Sequence, residues 1–162
     1  MKRHAYWDSG QLRTFLCGTG DDPLHTMFML MGVDGLRLQE ALGLRWFDVD
    51  LEKAALHVTG PEDEAAESGS HGRTVDLGRG TAELLWWHGC RQRLQRWQAD
   101  FSMETDLVFT RLDGSGLNPR SVQQRFRDLV LRAGLPHIQI DDLRLCAELA
   151  PKSEESVVHT AH

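Results

Sequence analysis

Apolar residues recur along this chain with two different periods. Leu12, Phe15 and Leu16 stand at i, i+3 and i+4, which predicts a helix beginning near Ser9. Asp8, followed three residues later by Gln11, has the form of a capping box at its start. Gly18 to Asp22 reads as a loop. Asp22-Pro23 then predicts the opening of a second helix, with Asp as N-cap and Pro at the first helical position. Its body, Leu24 to Val33, is apolar on nearly every side, as expected of a central buried helix. Asp34-Gly35 breaks the pattern. Leu36 to Leu44 predicts a third, short helix with Leu36, Leu42 and Leu44 pointing inward.

The period then changes. Ala55 to Thr59 and Thr74 to Leu77 are short, β-branched or apolar, and bounded by Gly and Pro, which predicts two small strands. The acidic, Gly/Ser-rich stretch Pro61 to Gly72 joins them as an exposed loop or hairpin arm. Thr81 to Ala99 predicts a long helix, buried through Leu84, Leu85, Trp87, His88, Leu94 and Trp97, with Arg91, Arg93 and Arg96 outside. Leu107 to Phe109 is extended, and Asp113-Gly114 is a turn. Asn118-Pro119 opens a helix to Ala133 that buries Val122, Phe126, Leu129 and Val130 and ends at Gly134. Asp141 to Leu149 predicts a final helix. The fold class is α+β and mostly helical, with one small sheet near the middle. One domain is expected over residues 1–150, and residues 151–162 form a polar tail expected to be disordered.

A chain of 162 residues with 41% hydrophobic and 26% charged side chains has the composition of a globular domain, not of a fibrous or wholly disordered one. Residues 48 to 67 hold seven acids and one base, which accounts for the whole net charge of −6. Bulk charge therefore argues against non-specific nucleic-acid binding. The remainder is balanced, and 15 of the 18 basic residues in the chain are Arg. That choice suits bidentate phosphate contacts or reflects a compositional bias of the genome.

Cys17, Cys90 and Cys146 are odd in number and far apart, so neither a disulfide framework nor a zinc site follows. A reducing cytoplasm is the expected compartment. Met27 to Val33, the most apolar run, is far too short to span a bilayer, and no membrane association is expected.

The run Asp34-Gly35-Leu36-Arg37-Leu38-Gln39-Glu40-Ala41-Leu42-Gly43-Leu44-Arg45-Trp46-Phe47-Asp48-Val49-Asp50-Leu51 resembles the first conserved box of the tyrosine recombinases, the phage-integrase family. Arg73 to Leu77 resembles the third strand of that family's sheet. Leu107 to Thr110, with Gly114, Asn118-Pro119 and Phe126, resembles the next segment. Ala133 to His137, leading into Asp142-Leu143-Arg144, resembles the second box. The likeness covers roughly residues 5 to 144, and four pieces in order are more specific than any one alone. It implies the recombinase catalytic-domain fold with a small antiparallel sheet and incomplete C-terminal helices. The family's separate N-terminal core-binding domain is expected to be absent.

The resemblance also implies a chemistry. The family cuts one DNA strand by attack of a Tyr on a phosphodiester and rejoins another, without metal or nucleotide, so no cofactor is expected. Cationic donors offset charge in the transition state, an acid protonates the leaving oxygen, and the Tyr is the nucleophile. Arg37 and Arg144 stand where the family places its two catalytic Arg. Read without the family, Arg37 pairs with Glu40 and Arg144 with Asp141 or Glu148 as ordinary helix-surface ion pairs. Within the family frame Glu40 becomes the group that holds Arg37.

The remaining positions depart from the pattern. Asp141 and Leu145 occupy the family's His positions. The hairpin stretch Glu62 to Gly72 contains no Lys, and a carboxylate such as Glu67 there would repel phosphate. The only tyrosine, Tyr6, precedes the first helix and suits an aromatic contact better than a nucleophile. His159 and His162 lie in the polar tail. The expected protein is thus a degenerate or truncated recombinase from a mobile element, inactive by itself. The alternatives are a DNA-binding module using Arg120, Arg125, Arg127 and Arg132 beside the two Arg, or an interaction module that associates with a full-length recombinase or with itself. A domain lacking its last helices is also expected to expose apolar surface near Leu143, Leu145 and Leu149.

Overall fold

The computed structural model describes residues 7–58, 72–98, 105–111 and 113–149. Tyr6, the acidic stretch Glu62 to Glu67, His159 and His162 lie outside these, as do the side chains of Glu148 and Leu149. Helix α1 spans Ser9–Gly18, α2 His25–Gly32 and α3 Leu38–Leu42. Strands β1 (Val49–Asp50), β2 (Ala55–Val58) and β3 (Arg73–Asp76) follow, then α4 (Arg79–Gln98), α5 (Pro119–Ala133) and α6 (Leu143–Leu149). The fold is mostly helical with one small antiparallel sheet, as the periodicity predicts.

The sheet has the order β1-β2-β3. Leu56 faces Val49 on one side and Val75 on the other, so it sits at the sheet's centre and is buried. Strand β1 was not expected from the pattern, because two residues are too few to display an alternation. Leu107 to Phe109 joins no named strand. It runs beside the α3–β1 connection, where Val108 N–H donates to Leu44 O and Trp46 N–H to Asp106 O.

Helix α1 begins with the predicted capping box: Asp8 Oδ1 accepts Gln11 N–H at 2.8 Å, and Gln11 Oε1 accepts Asp8 N–H at 3.0 Å. Leu12, Phe15 and Leu16 are buried. Phe15 meets Trp7, Phe28 and Phe126 at ring-centroid distances of 5.0, 5.2 and 5.3 Å. These four rings are the core between α1, α2 and α5, and tilted or edge-on contacts of this kind are favourable beyond their burial.

Helix α2 is buried from Thr26 to Gly32 and packs against α1, α3, α4 and α6. Its start differs from expectation, because Asp22 is not its N-cap. Asp22 Oδ1 accepts Leu24 N–H at 2.9 Å and its carbonyl accepts His25 N–H, which folds Asp22 to Leu24 into a turn before the helix. Gly32 faces α1 closely, and a Cβ there would lie 2.8 Å from Leu12 Cδ1.

Helix α3 is shorter than predicted. Gly35 takes φ +82°, and the chain then runs extended through Arg37. Leu36 and Leu44 are buried from outside the helix, on either side of it, while Leu42 is half-buried.

The buried face of α4 also differs. Thr81, Leu85, Gly89 and Gln92 face inward, with Leu84 and His88 half-buried. Trp87, Leu94 and Trp97 are exposed rather than buried, as is Trp86. Gln92 explains the rotation. Its amide nitrogen donates to Leu107 O at 3.1 Å and Val108 O at 3.0 Å, and its oxygen accepts Trp46 Nε1–H at 2.7 Å. His88 Nε2 reaches the same Val108 carbonyl at 2.6 Å. A polar side chain satisfied on all sides is thus buried where the apolar pattern placed Trp and Leu. Gly89 leaves room for the Trp46 ring, from which a Cβ would lie only 3.1 Å. Arg96, predicted outside, is half-buried and donates to Thr105 O.

Helix α5 follows the prediction from end to end. Asn118 Oδ1 accepts Arg120 N–H, Pro119 is the first residue, Gly134 closes it at φ +69°, and Val122, Phe126, Leu129 and Val130 are buried. The last helix opens with a single 3₁₀ turn at Ile140–Asp142. Leu143 is fully buried and Cys146 nearly so, because α6 packs on α2. The expected exposure at Leu143 is therefore not found, and Leu145 is half-buried. Among the described residues no helix is long and apolar enough to cross a membrane.

Candidate phosphate-binding site

Arg37 lies in the extended segment between α2 and α3, at the N-cap of α3. Its side chain is exposed and makes no ion pair among the described residues. Its backbone is firmly held: Arg37 N–H donates to Glu40 Oε1 at 2.8 Å. The same carboxylate receives Arg73 from β3 in a bidentate pair, with Nη1 to Oε2 at 2.7 Å and Nη2 to Oε1 at 3.1 Å. Glu40 therefore holds Arg37 through the main chain and spends its charge on Arg73, not on the Arg37 guanidinium. The surface ion pair between Arg37 and Glu40 is therefore not found among the described residues. Arg73 was visible in the sequence as part of the third-strand motif, but no local spacing links it to Glu40, 33 residues earlier.

Arg144 is half-buried in the first turn of α6. One turn before it, Asp141 reaches back to α3, where its Oδ1 accepts Leu38 N–H at 2.9 Å. This bond closes 103 residues of chain and joins the segment that carries Arg37 to the start of the helix that carries Arg144. Asp141 thus supplies the side-chain cap that α3 does not take from Arg37. Leu145, expected with Asp141 to occupy a family His position, is half-buried. Cys146 follows it on α6, and burial pushes its thiol up, so it remains protonated at neutral pH and is no nucleophile.

The four Arg of α5 have different surroundings. Arg125 pairs with Asp22: its Nη2 lies 2.6 Å and its Nε 2.8 Å from Asp22 Oδ2, whose side chain is only 4% exposed. Arg127 donates to Gln124 Oε1 at 3.1 Å, and Gln124 in turn donates to Asp128. Arg120 is exposed at the N-terminal end of the helix, and Arg132 is exposed near its C-terminal end. Among the described residues no group of three or more His, Cys, Asp or Glu could hold a metal ion.

The family model described as the phage integrase family matches residues 11–158. Tyrosine recombinase XerC of Proteus mirabilis is 35% identical over 130 residues, covering 76% of this chain and 38% of that protein. A XerC-like tyrosine recombinase of Caldanaerobacter subterraneus is 27% identical over 142 residues, covering 75% of this chain and 36% of that protein. The chain thus spans little more than a third of the length of the curated relatives it matches. Among solved structures, the XerA recombinase superposes with a TM-score of 0.74 at 16% identity, over 100% of this chain and 54% of its own. XerH bound to its difH substrate superposes with a TM-score of 0.70 at 21% identity, over 91% of this chain and 42% of its own. The chain belongs to the phage integrase family, the tyrosine recombinases, and has the fold of their catalytic domain.

Proposed function

We propose that this chain is a recombinase-family domain that binds DNA through a phosphate clamp of Arg37 and Arg144 and does not by itself cut the strand. The observation that carries this reading is the Asp141–Leu38 hydrogen bond, which ties the Arg37 segment to the Arg144 helix. Two guanidinium forks anchored to one strut suit the non-bridging oxygens of a phosphodiester. The exposed Arg120 and Arg127 extend the cationic surface along α5, where they would contact flanking phosphates. The charge of Arg125 is already offset by Asp22.

The chemistry these 162 residues do not offer is the proton donor and the nucleophile. Asp141 and Leu145 stand at the family's His positions, and an Asp carboxylate already accepting a main-chain N–H is poorly suited to protonate a leaving oxygen. Tyr6 is the single tyrosine of these 162 residues and precedes α1. Losing groups that act as a unit costs orders of magnitude in rate.

The test is fluorescence anisotropy of labelled duplex DNA across a salt series. The expected affinity falls with salt at a slope of about −0.9 for each phosphate contacted, and Arg37→Ala and Arg144→Ala each weaken binding. Absence of binding at low salt overturns the reading. Covalent trapping of the chain on a nicked suicide substrate would overturn its second half. A second reading, association with a full-length recombinase or with another copy of this chain, is favoured by the exposed aromatic side chains of α4.

A further inference from the structure

Helix α4 has two apolar faces, and the described residues bury one of them. Trp86 is 49%, Trp87 55%, Leu94 53% and Trp97 84% exposed, an unusual amount of large apolar surface for one helix. At about 100° per residue, Arg79, Trp86, Cys90 and Trp97 fall within about 40° of one another around the helix. On the same count, Glu83, Leu94 and Trp87 widen this stripe to about 100°. It lies opposite the buried row of Thr81, Leu85, Gly89 and Gln92. Trp86 and Trp87 already contact each other edge-on, at 4.8 Å between ring centroids.

We propose that this stripe is a self-association surface, on which α4 of a second copy packs antiparallel about a two-fold axis at residue 88. The charges along the stripe select this occupant. With the axis there, Arg79 of one copy meets the Trp97 ring of the other, and Trp86 meets Cys90. Glu83 comes level with Arg93. Each of these meetings occurs twice, as a two-fold contact requires. The Arg79–Trp97 contact is a cation–π pair and Glu83–Arg93 an ion pair at the rim. Trp86 lies beside the axis, and Trp and Arg are the residue types that dominate association energies. One helix face is a small interface, so the dimer forms in a concentration-dependent way. This deepens the self-association reading above and needs no DNA, so its test is run without DNA and leaves the phosphate clamp unaffected.

The experiment is sedimentation velocity of the full 162-residue chain over a concentration series. The expected result is a monomer–dimer transition whose midpoint rises about tenfold or more in Trp97→Ala. Glu83→Arg raises it as well, and the double variant Glu83→Arg with Arg93→Glu restores it. All these residues are exposed, and circular dichroism checks that each variant folds. A monomer at every concentration overturns the proposal, and tryptophan emission typical of buried rings would then assign the stripe to another part of the same chain. A dimer whose midpoint none of the variants moves also overturns it, while leaving self-association through a different face.

Discussion

The Asp141 carboxylate accepts the main-chain N–H of Leu38 at 2.9 Å, across 103 residues of sequence. Asp141 is thus a strut for the α3 N-terminus. Asp141→Ala leaves that N–H without its acceptor and is expected to cost about 1–2 kcal/mol, the size of a lost helix cap. Asp141→Asn keeps an acceptor oxygen and retains most of the stability. Asp141→His, the residue that the proposed family correspondence would place there, is expected to be less stable than the parent and to gain no strand cleavage. Urea denaturation midpoints check the series, and an alanine variant as stable as the parent would contradict the strut.

Glu40 is the second anchor of the same segment. It accepts Arg37 N–H and pairs with Arg73, while its own side chain is 8% exposed. Arg73 is 49% exposed, so solvent screens the ion pair and the cap carries much of the effect. Glu40→Ala is expected to cost about 1–3 kcal/mol and to weaken DNA binding by loosening Arg37. Glu40→Gln, which still accepts the N–H, should fall between. Paired denaturation and anisotropy measurements read both effects.

Arg125 and its neighbours on α5 separate stability from binding. Arg125→Ala strands the buried Asp22 carboxylate and is expected to cost about 1–3 kcal/mol, reduced from a fully buried pair because Arg125 is 43% exposed. Arg120→Ala and Arg127→Ala leave the melting temperature nearly unchanged and lower DNA affinity more than Arg125→Ala does. The reverse order in either measurement would refute this division.

Two half-buried histidines make the fold acid-sensitive. Burial holds the His88 imidazole below its ordinary value of 6.5, against the opposing hydrogen bond to Val108 O. His25 is lowered in the same way, burial outweighing Asp22. The unfolded chain binds these protons near pH 6.5 while the folded chain resists them. Their contribution to stability is therefore complete above about pH 6.5 and is lost as pH falls toward the folded values. His88→Gln keeps a donor for Val108 O and removes one titration. Its urea midpoint should decline less between pH 7 and 5 than the parent's, and parallel declines would exclude His88 as a source.

The parts of this fold legible in the sequence are those with a complete local code. Asp8 with Gln11 fixed the start of α1, and Asn118-Pro119 with Gly134 fixed both ends of α5. The two Arg proposed for the clamp rest on the family motif alone, since a single Arg carries no local pattern of its own. What failed were features decided by distant partners. Asp22 looked like an N-cap, yet its carboxylate is shared between a turn and Arg125. The inward face of α4 was misplaced because Gln92 is buried by carbonyls of residues 107 and 108. Glu40 was assigned to its helical neighbour, and its charged partner comes from β3.

The packing of α6 on α2 has a consequence for synthesis. Helix α2 is complete at Gly32, yet Leu143, which helps to cover it, is added more than a hundred residues later. Trp7 waits still longer in sequence terms for Pro136 O, 129 residues away. At translation speeds of about 5–20 residues per second, Met27, Phe28, Leu30 and Met31 emerge several seconds before the surface that buries them. During that interval the apolar side chains of α2 lack the cover that α6 later supplies.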